Sequence, residues 1–189
     1  MARPQSVDED ELLARLASVF RDFGYEGASL SDLAQGAGLQ KASLYHRFPG
    51  GKQQMADEVL GAALSWASEY VIKPLKTEGS PARRLAAVTR ELDAFYFSGR
   101  KACLLNMLSA PRGKDGPFSA AIRTAFEALI DAFARLARDA GATPKIARRK
   151  AERTVMLMQG SLVLSRGLNS TDPFQSFLAA LPEDLLGQA

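Results

Sequence analysis

The side chains able to do chemistry are few and unevenly placed. The chain of 189 residues holds one cysteine, Cys103, and one histidine, His46. A nucleophilic thiol or hydroxyl needs a positioned base, and the only imidazole lies far from Cys103 in sequence. No second His or nearby Cys completes a metal set. No phosphate loop or dinucleotide fingerprint is present. These residues argue against an enzyme and predict no catalytic group, no metal and no cofactor. A set of donors stands out instead: Ser29, Ser31, Gln40, Lys41, Ser43, Tyr45, His46 and Lys52. No acidic residue falls between Asp32 and Asp57, so the set suits a polyanion. Global charge does not carry that argument. The net charge is +3, but residues 1–60 hold six Lys/Arg against nine Asp/Glu, so the basic excess lies downstream.

Helices must position these donors. Ser6-Val7-Asp8-Glu9 has capping-box spacing. It is followed by Leu12, Leu13, Leu16, Val19, Phe20 and Phe23 at spacings of three and four, up to Gly24. Ser29 to Asp32 opens a second, short helix that Gly38 stops. A third runs from about 40 to 48, and Pro49-Gly50-Gly51 breaks the chain. A fourth runs from 52 to about 71. After a loop from Pro74 to Pro81, helices are predicted at about 82–98, 101–109, 117–140, 144–167 and 172–181. Pro111-Arg112-Gly113 is one of the breaks. No strand alternation or repeat is visible, and the predicted class is all-α.

Residues 29–48 have helix-turn-helix layout. Two short helices that cross closely want a small residue at their contact, supplied by Ala34. The turn wants a residue that tolerates positive φ, supplied by Gly38. Leu33, Ala37, Leu39 and Leu44 would lock the angle. A plain helical hairpin satisfies the same pattern. The wider stretch from Phe20 to Lys52 is more specific. It combines F-x-x-x-G-Y at the end of the first helix, a Ser before the second, A-x-x-A-G-L at the turn, and S-L-Y-x-x-F ahead of a Lys.

This combination resembles the DNA-binding domain of the TetR family of bacterial transcriptional regulators over about residues 8–60. The extra glycine in Pro49-Gly50-Gly51-Lys52 resembles the LmrA-like branch. The resemblance implies a three-helix DNA-binding domain over 1–52 and a ligand-binding and dimerisation domain over 53–189. It implies a homodimer on a roughly palindromic double-stranded operator, acting as a repressor released by a small effector. Lys41 and Ala42, with Gln40, sit where the family reads base edges. Lys can donate to guanine and Gln can pair with adenine. Ser43, Tyr45 and His46 sit where it contacts phosphates. Lys52 opens the fourth helix, where the dipole favours a phosphate and where a solvated lysine is the plain alternative. Ser29 and Ser31 can reach DNA from the second helix, and Ser29 can equally be an N-cap.

Downstream, large soft residues are spread over several predicted helices. Trp66, Tyr70, Phe95, Cys103, Met107, Phe126 and Met156 are the candidate cavity residues, with Asn106 and Gln159 as polar anchors. The same residue types build ordinary cores. They suit a small apolar, aromatic-leaning effector. The run 154–164 is apolar nearly all round and needs partners on more than one side; the family resemblance implies that it and the last helix form the dimer face, with closure of the monomer's own core as the alternative. The cluster Lys145, Arg148, Arg149, Lys150 and Arg153 reads as a solvated face. One cysteine allows no internal disulfide, no signal core is visible, and the longest apolar run is too short to span a bilayer. The expectation is a soluble cytoplasmic protein with no membrane partner. A helical adaptor that has lost DNA binding is the competing non-enzymatic reading.

Overall fold

The computed structural model describes residues 8–110 and 115–187. Among these the chain is helical with no strand: α1 (Glu9–Gly27), α2 (Leu30–Ala37), α3 (Lys41–Arg47), α4 (Gly51–Ala67), α5 (Lys73–Lys76), α6 (Pro81–Phe95), α7 (Leu104–Met107), α8 (Ser119–Asp139), α9 (Pro144–Leu168) and α10 (Asp172–Leu186). The predicted Ser6–Val7 cap and the break at Pro111-Arg112-Gly113 lie wholly or largely outside the described residues.

The N-terminal helices form because their apolar spacing has one common target. Leu12, Leu16, Val19 and Phe20 of α1 share one core with Leu33 and Ala37 of α2, Leu44 of α3, and Met55, Val59 and Leu60 of α4. Phe23, expected on that face, is instead 54% exposed. Gly24 follows it at φ 70° and kinks the helix there. A Cβ there would crowd the Met107 carbonyl, so the glycine also lets α7 approach α1 closely. A second close approach lies at Gly36, where a Cβ would overlap Val19.

α4 continues without a break through a π-helical turn, Ser68–Ile72, into α5. The loop predicted from Pro74 therefore begins only at Thr77. Pro74 has no N–H to donate to the continuous helix, and it follows directly on the π turn, whose looser winding makes room for it. At the far end, α10 runs beyond the predicted stop at 181 and contains Pro182. Leu185, one turn on, is buried, and Lys150 Nζ donates to the Leu185 and Gly187 carbonyls at the helix end. A cation on those free carbonyls is favourable. α8, α9 and α10 pack on one another, and α8 and α10 also pack on α6. The predicted helix over 101–109 is confined to α7.

Arg84 is the buried charge of this larger unit. It donates to the Leu75 carbonyl at 3.0 Å and to Asp139 at 2.9 Å, tying α5, α6 and α8 together. No helix among the described residues is long and apolar enough to cross a membrane.

Candidate nucleic-acid interface and ligand cavity

The turn between α2 and α3 is built from its caps. Ser29 and Asp32 form a reciprocal capping box at the start of α2. Hydrogen bonds from the Ser29 side chain and backbone hold the Asp32 carboxyl below its ordinary range. Gly38 ends α2 at φ 68°. Its N–H reaches the Gln35 carbonyl and that of Leu39 reaches Ala34, both at 3.0 Å, which is a Schellman ending. Arg15 Nη1 adds a bond to the Ala37 carbonyl at 3.1 Å. With Leu44 buried and Leu39 half-buried, α3 is held at a fixed angle to α2.

The opposite face of α3 is bare. Gln40, Lys41, Ala42, Ser43, Tyr45 and His46 are all exposed, as is Ser31. Gln40 is the N-cap residue and makes no side-chain cap bond, so its amide remains available. Arg47, the last residue of α3, is bound instead to Glu9 and Glu58 and braces α3 against α1 and α4.

Two predicted DNA contacts have intramolecular partners. Ser29 Oγ donates to Asp32 Oδ2 at 2.6 Å, so its hydroxyl proton is engaged in the cap. Lys52 Nζ donates to the Tyr25 carbonyl at 2.8 Å and the Ala28 carbonyl at 3.1 Å, and lies 4.7 Å from the Tyr25 ring centroid. The negative end of α1 attracts this ammonium more directly than the N-terminus of α4 releases it. Lys52 therefore latches the end of α1 to the start of α4.

A cavity of about 390 Å³ lies between α4, the π turn, α6, α7, α8 and α9. Trp66, Phe95, Cys103 and Gln159 line it, as the sequence suggested. Trp66 and Phe95 stack with centroids 3.6 Å apart. The Cys103 sulfur accepts from Tyr96 Oη at 3.6 Å and from Gln159 Nε2 at 3.5 Å. Burial, with Cys103 beside it, pushes the Tyr96 phenol well above its ordinary value, so it stays neutral. Gln159 Oε1 is buried and has no hydrogen-bond partner among the described residues.

The other five candidates lie elsewhere. Tyr70 is exposed and rests on the outer side of Trp66. Asn106 and Met107 face a small crevice beside Leu162 and Arg166, since α7 turns only Leu104 and Leu105 inward. Phe126 is half-buried on another face of α8, and Met156 is 66% exposed on α9. The sequence reading did not single out the small residues that make the space. Ala121, Ala125 and Ala128 recur at helical spacing on α8, with Ala63 and Ala67 opposite on α4. That alanine pattern facing aromatic residues was the available signal.

An exposed, acid-free reading helix carried on a buried turn, joined to a larger helical unit with a cavity, defines a one-component helix-turn-helix DNA-binding regulator. Sequence comparison agrees. The profile "Bacterial regulatory proteins, tetR family" matches residues 12–59, and "Transcriptional regulator LmrA/YxaF-like, C-terminal domain" matches residues 81–180. The chain belongs to the TetR family of transcriptional regulators, in its LmrA/YxaF-like branch. It is similar to the HTH-type transcriptional regulator LmrA of Bacillus subtilis, at 21% identity over 92% of this chain and 94% of that protein. The HTH-type transcriptional repressor KstR2 of Mycolicibacterium smegmatis is 38% identical over 79 residues, 42% of this chain and 38% of that protein. The solved TetR-family regulator CifR, a cysteine mutant complexed with 26-bp double-strand operator DNA, superposes with a TM-score of 0.69. It is 26% identical and covers 99% of this chain and 100% of that one.

Proposed function

We propose that the chain is a repressor that binds a roughly palindromic operator as a homodimer and leaves it when a small, largely apolar molecule fills the central cavity. The observation that carries this reading is α4. It begins beside the α3 reading face, and its last turns, with the π turn, form a wall of the cavity. Gln40, Lys41 and Ala42 would read base edges, with Ser43, Tyr45 and His46 on phosphates. The unpartnered Gln159 Oε1 calls for a ligand with one hydroxyl or N–H donor among its apolar atoms.

The dimer face would be α9, with α10 beside it. Leu157, Val163, Leu164 and Leu168 leave an apolar stripe exposed, and a Cβ at Gly160 or Gly167 would meet nothing within the chain. A second copy covers such a stripe economically. The repressor role is supported by the name of the mycobacterial relative.

A ligand shifts DNA binding only by its difference in affinity for the competent and incompetent states, typically about 1–3 kcal/mol of coupling. The test follows Trp66 fluorescence while apolar aromatic alcohols and amines are titrated. Each binder is then added to the protein on selected operator DNA. Release by about 5- to 150-fold is expected. Cavity binders that all leave operator affinity unchanged would overturn induction through this cavity.

A further inference from the structure

A second cleft, of about 350 Å³, lies where α1 meets α4 and the segment linking α6 to α7. Leu13, Ala17, Phe95 and Leu104 supply apolar wall. Arg21, Lys101, Asp10 and Ser18 supply its polar groups. Arg21 is half-buried. Its Nε donates to the Ala102 carbonyl at 3.1 Å, and its guanidinium carbon lies 5.6 Å from the Phe95 centroid. Its terminal nitrogens make no hydrogen bond among the described residues, and neither Arg21 nor Lys101 joins any ion pair there. The remaining residues, 1–7, 111–114 and 188–189, contain no Asp or Glu that could supply a side-chain counterion.

Arg21 is a half-buried cation with no carboxylate paired to it, and the exposed Lys101, its Nζ 5.0 Å from the Phe97 ring centroid, lies near enough to feel its charge. Burial, and next the charge on Arg21, hold the Lys101 ammonium below its ordinary value. Burial also lowers Arg21, against the opposing influence of Tyr96, Cys103 and Asp22. An incoming anion relieves both. Asp10 sets its charge. With two cations and one carboxylate on the wall, the cleft matches a monoanion better than a phosphate dianion.

We propose that this cleft is a binding site for a small organic monocarboxylate, its carboxylate between Arg21 and Lys101 and its apolar body against Phe95, Leu104, Leu13 and Ala17. Arg21 and Leu13 belong to the DNA-binding unit, whereas Phe95 is stacked on Trp66 in the central cavity. An occupant therefore touches both units at their junction. The site stands on the cleft alone; an effect of the acid on operator binding rests on the proposed ligand-responsive function.

The test is calorimetric titration of the full chain with phenylacetate, benzoate and hexanoate, each beside its uncharged amide. At least one acid should bind at millimolar concentration or better, with its amide about tenfold weaker or more. Lys101→Ala removes an exposed side chain and should leave thermal unfolding unchanged, while weakening the acid about tenfold and leaving the amide unaffected. Ala125→Trp fills the central cavity and should not alter acid affinity, so failure of that cavity as an effector site is read separately. Binding without operator release still supports the site. Equal affinity for acid and amide, unchanged acid affinity in Lys101→Ala, or no acid binding at millimolar concentration each overturns the proposal.

Discussion

Lys41 and Lys52 carry the same charge on neighbouring helices, yet the fold gives them different partners. Lys41 is exposed at the start of α3 and its side chain makes no hydrogen bond or ion pair among the described residues, so Lys41→Ala should relax base preference and cost about 1–3 kcal/mol on the preferred site. Operator selection with the variant checks this; unchanged affinity and preference would remove Lys41 from the base-reading set. Lys52 closes onto two carbonyls at the end of α1. Lys52→Ala should therefore lower stability by about 1–3 kcal/mol while leaving the salt slope of DNA binding unchanged. Denaturant unfolding and a salt titration together decide. A shallower slope with full stability would restore the phosphate contact suggested by its position in sequence. Residue type and spacing made the reading face legible from Gln40 to His46. They could not reveal the Lys52 latch, because the carbonyls of Tyr25 and Ala28 become acceptors only once Gly24 has bent the end of α1.

Among the elements, period and punctuation placed every helix of the DNA-binding unit, since Ser29 and Gly38 are caps with a local mechanism. The same reasoning failed where tertiary burial overrode a local breaker. Pro182 is carried inside α10 by the burial of Leu185, and Pro74 is carried in a continuous helix just after the π turn, with Leu75 buried beside it. The cavity was half legible. Aromatic residues announce themselves, but which face of α7 or α9 turns inward depends on neighbours far away in sequence. Arg84 is a long-range device of this kind. Burial raises the pKa of its partner Asp139, but hydrogen bonds from Arg84 and Arg135 pull harder, and the net shift is downward. A depressed folded pKa gives stability that is present above the unfolded value and lost as pH falls through the folded one, here below about pH 4. Asp139→Asn should remove that acid dependence. At neutral pH it should cost about 1–3 kcal/mol, because the buried guanidinium loses its anion. Urea unfolding at neutral pH and near pH 3 measures both effects.

For the whole molecule, the test of assembly can be made clean. Among the described residues, Gly160 has no neighbour that a Cβ would strike. Gly160→Arg should therefore leave the monomer fold intact by circular dichroism, yet yield monomers by sedimentation and abolish tight operator binding. A wild-type monomer at micromolar concentration would end the dimer reading. A dimer built across α9 fixes the separation of its two α3 helices. Selected operators should then show inverted half-sites about one DNA turn, roughly 34–36 Å, apart or at a longer fixed spacing.

A helix that carries one surplus residue in a single turn can lose one without losing phase. The π turn at Ser68–Ile72 is such a reserve. Removing Ser68 would let that stretch close toward ordinary α-helix with Leu75 kept in phase, at the cost of setting Pro74 inside a regular helix. The same deletion at Ala62 would rotate every later residue by about 100°. The turn also includes Val71 and Ile72 of the cavity wall. A one-residue deletion at this turn would therefore reshape the cavity wall while leaving α1 to α3 untouched.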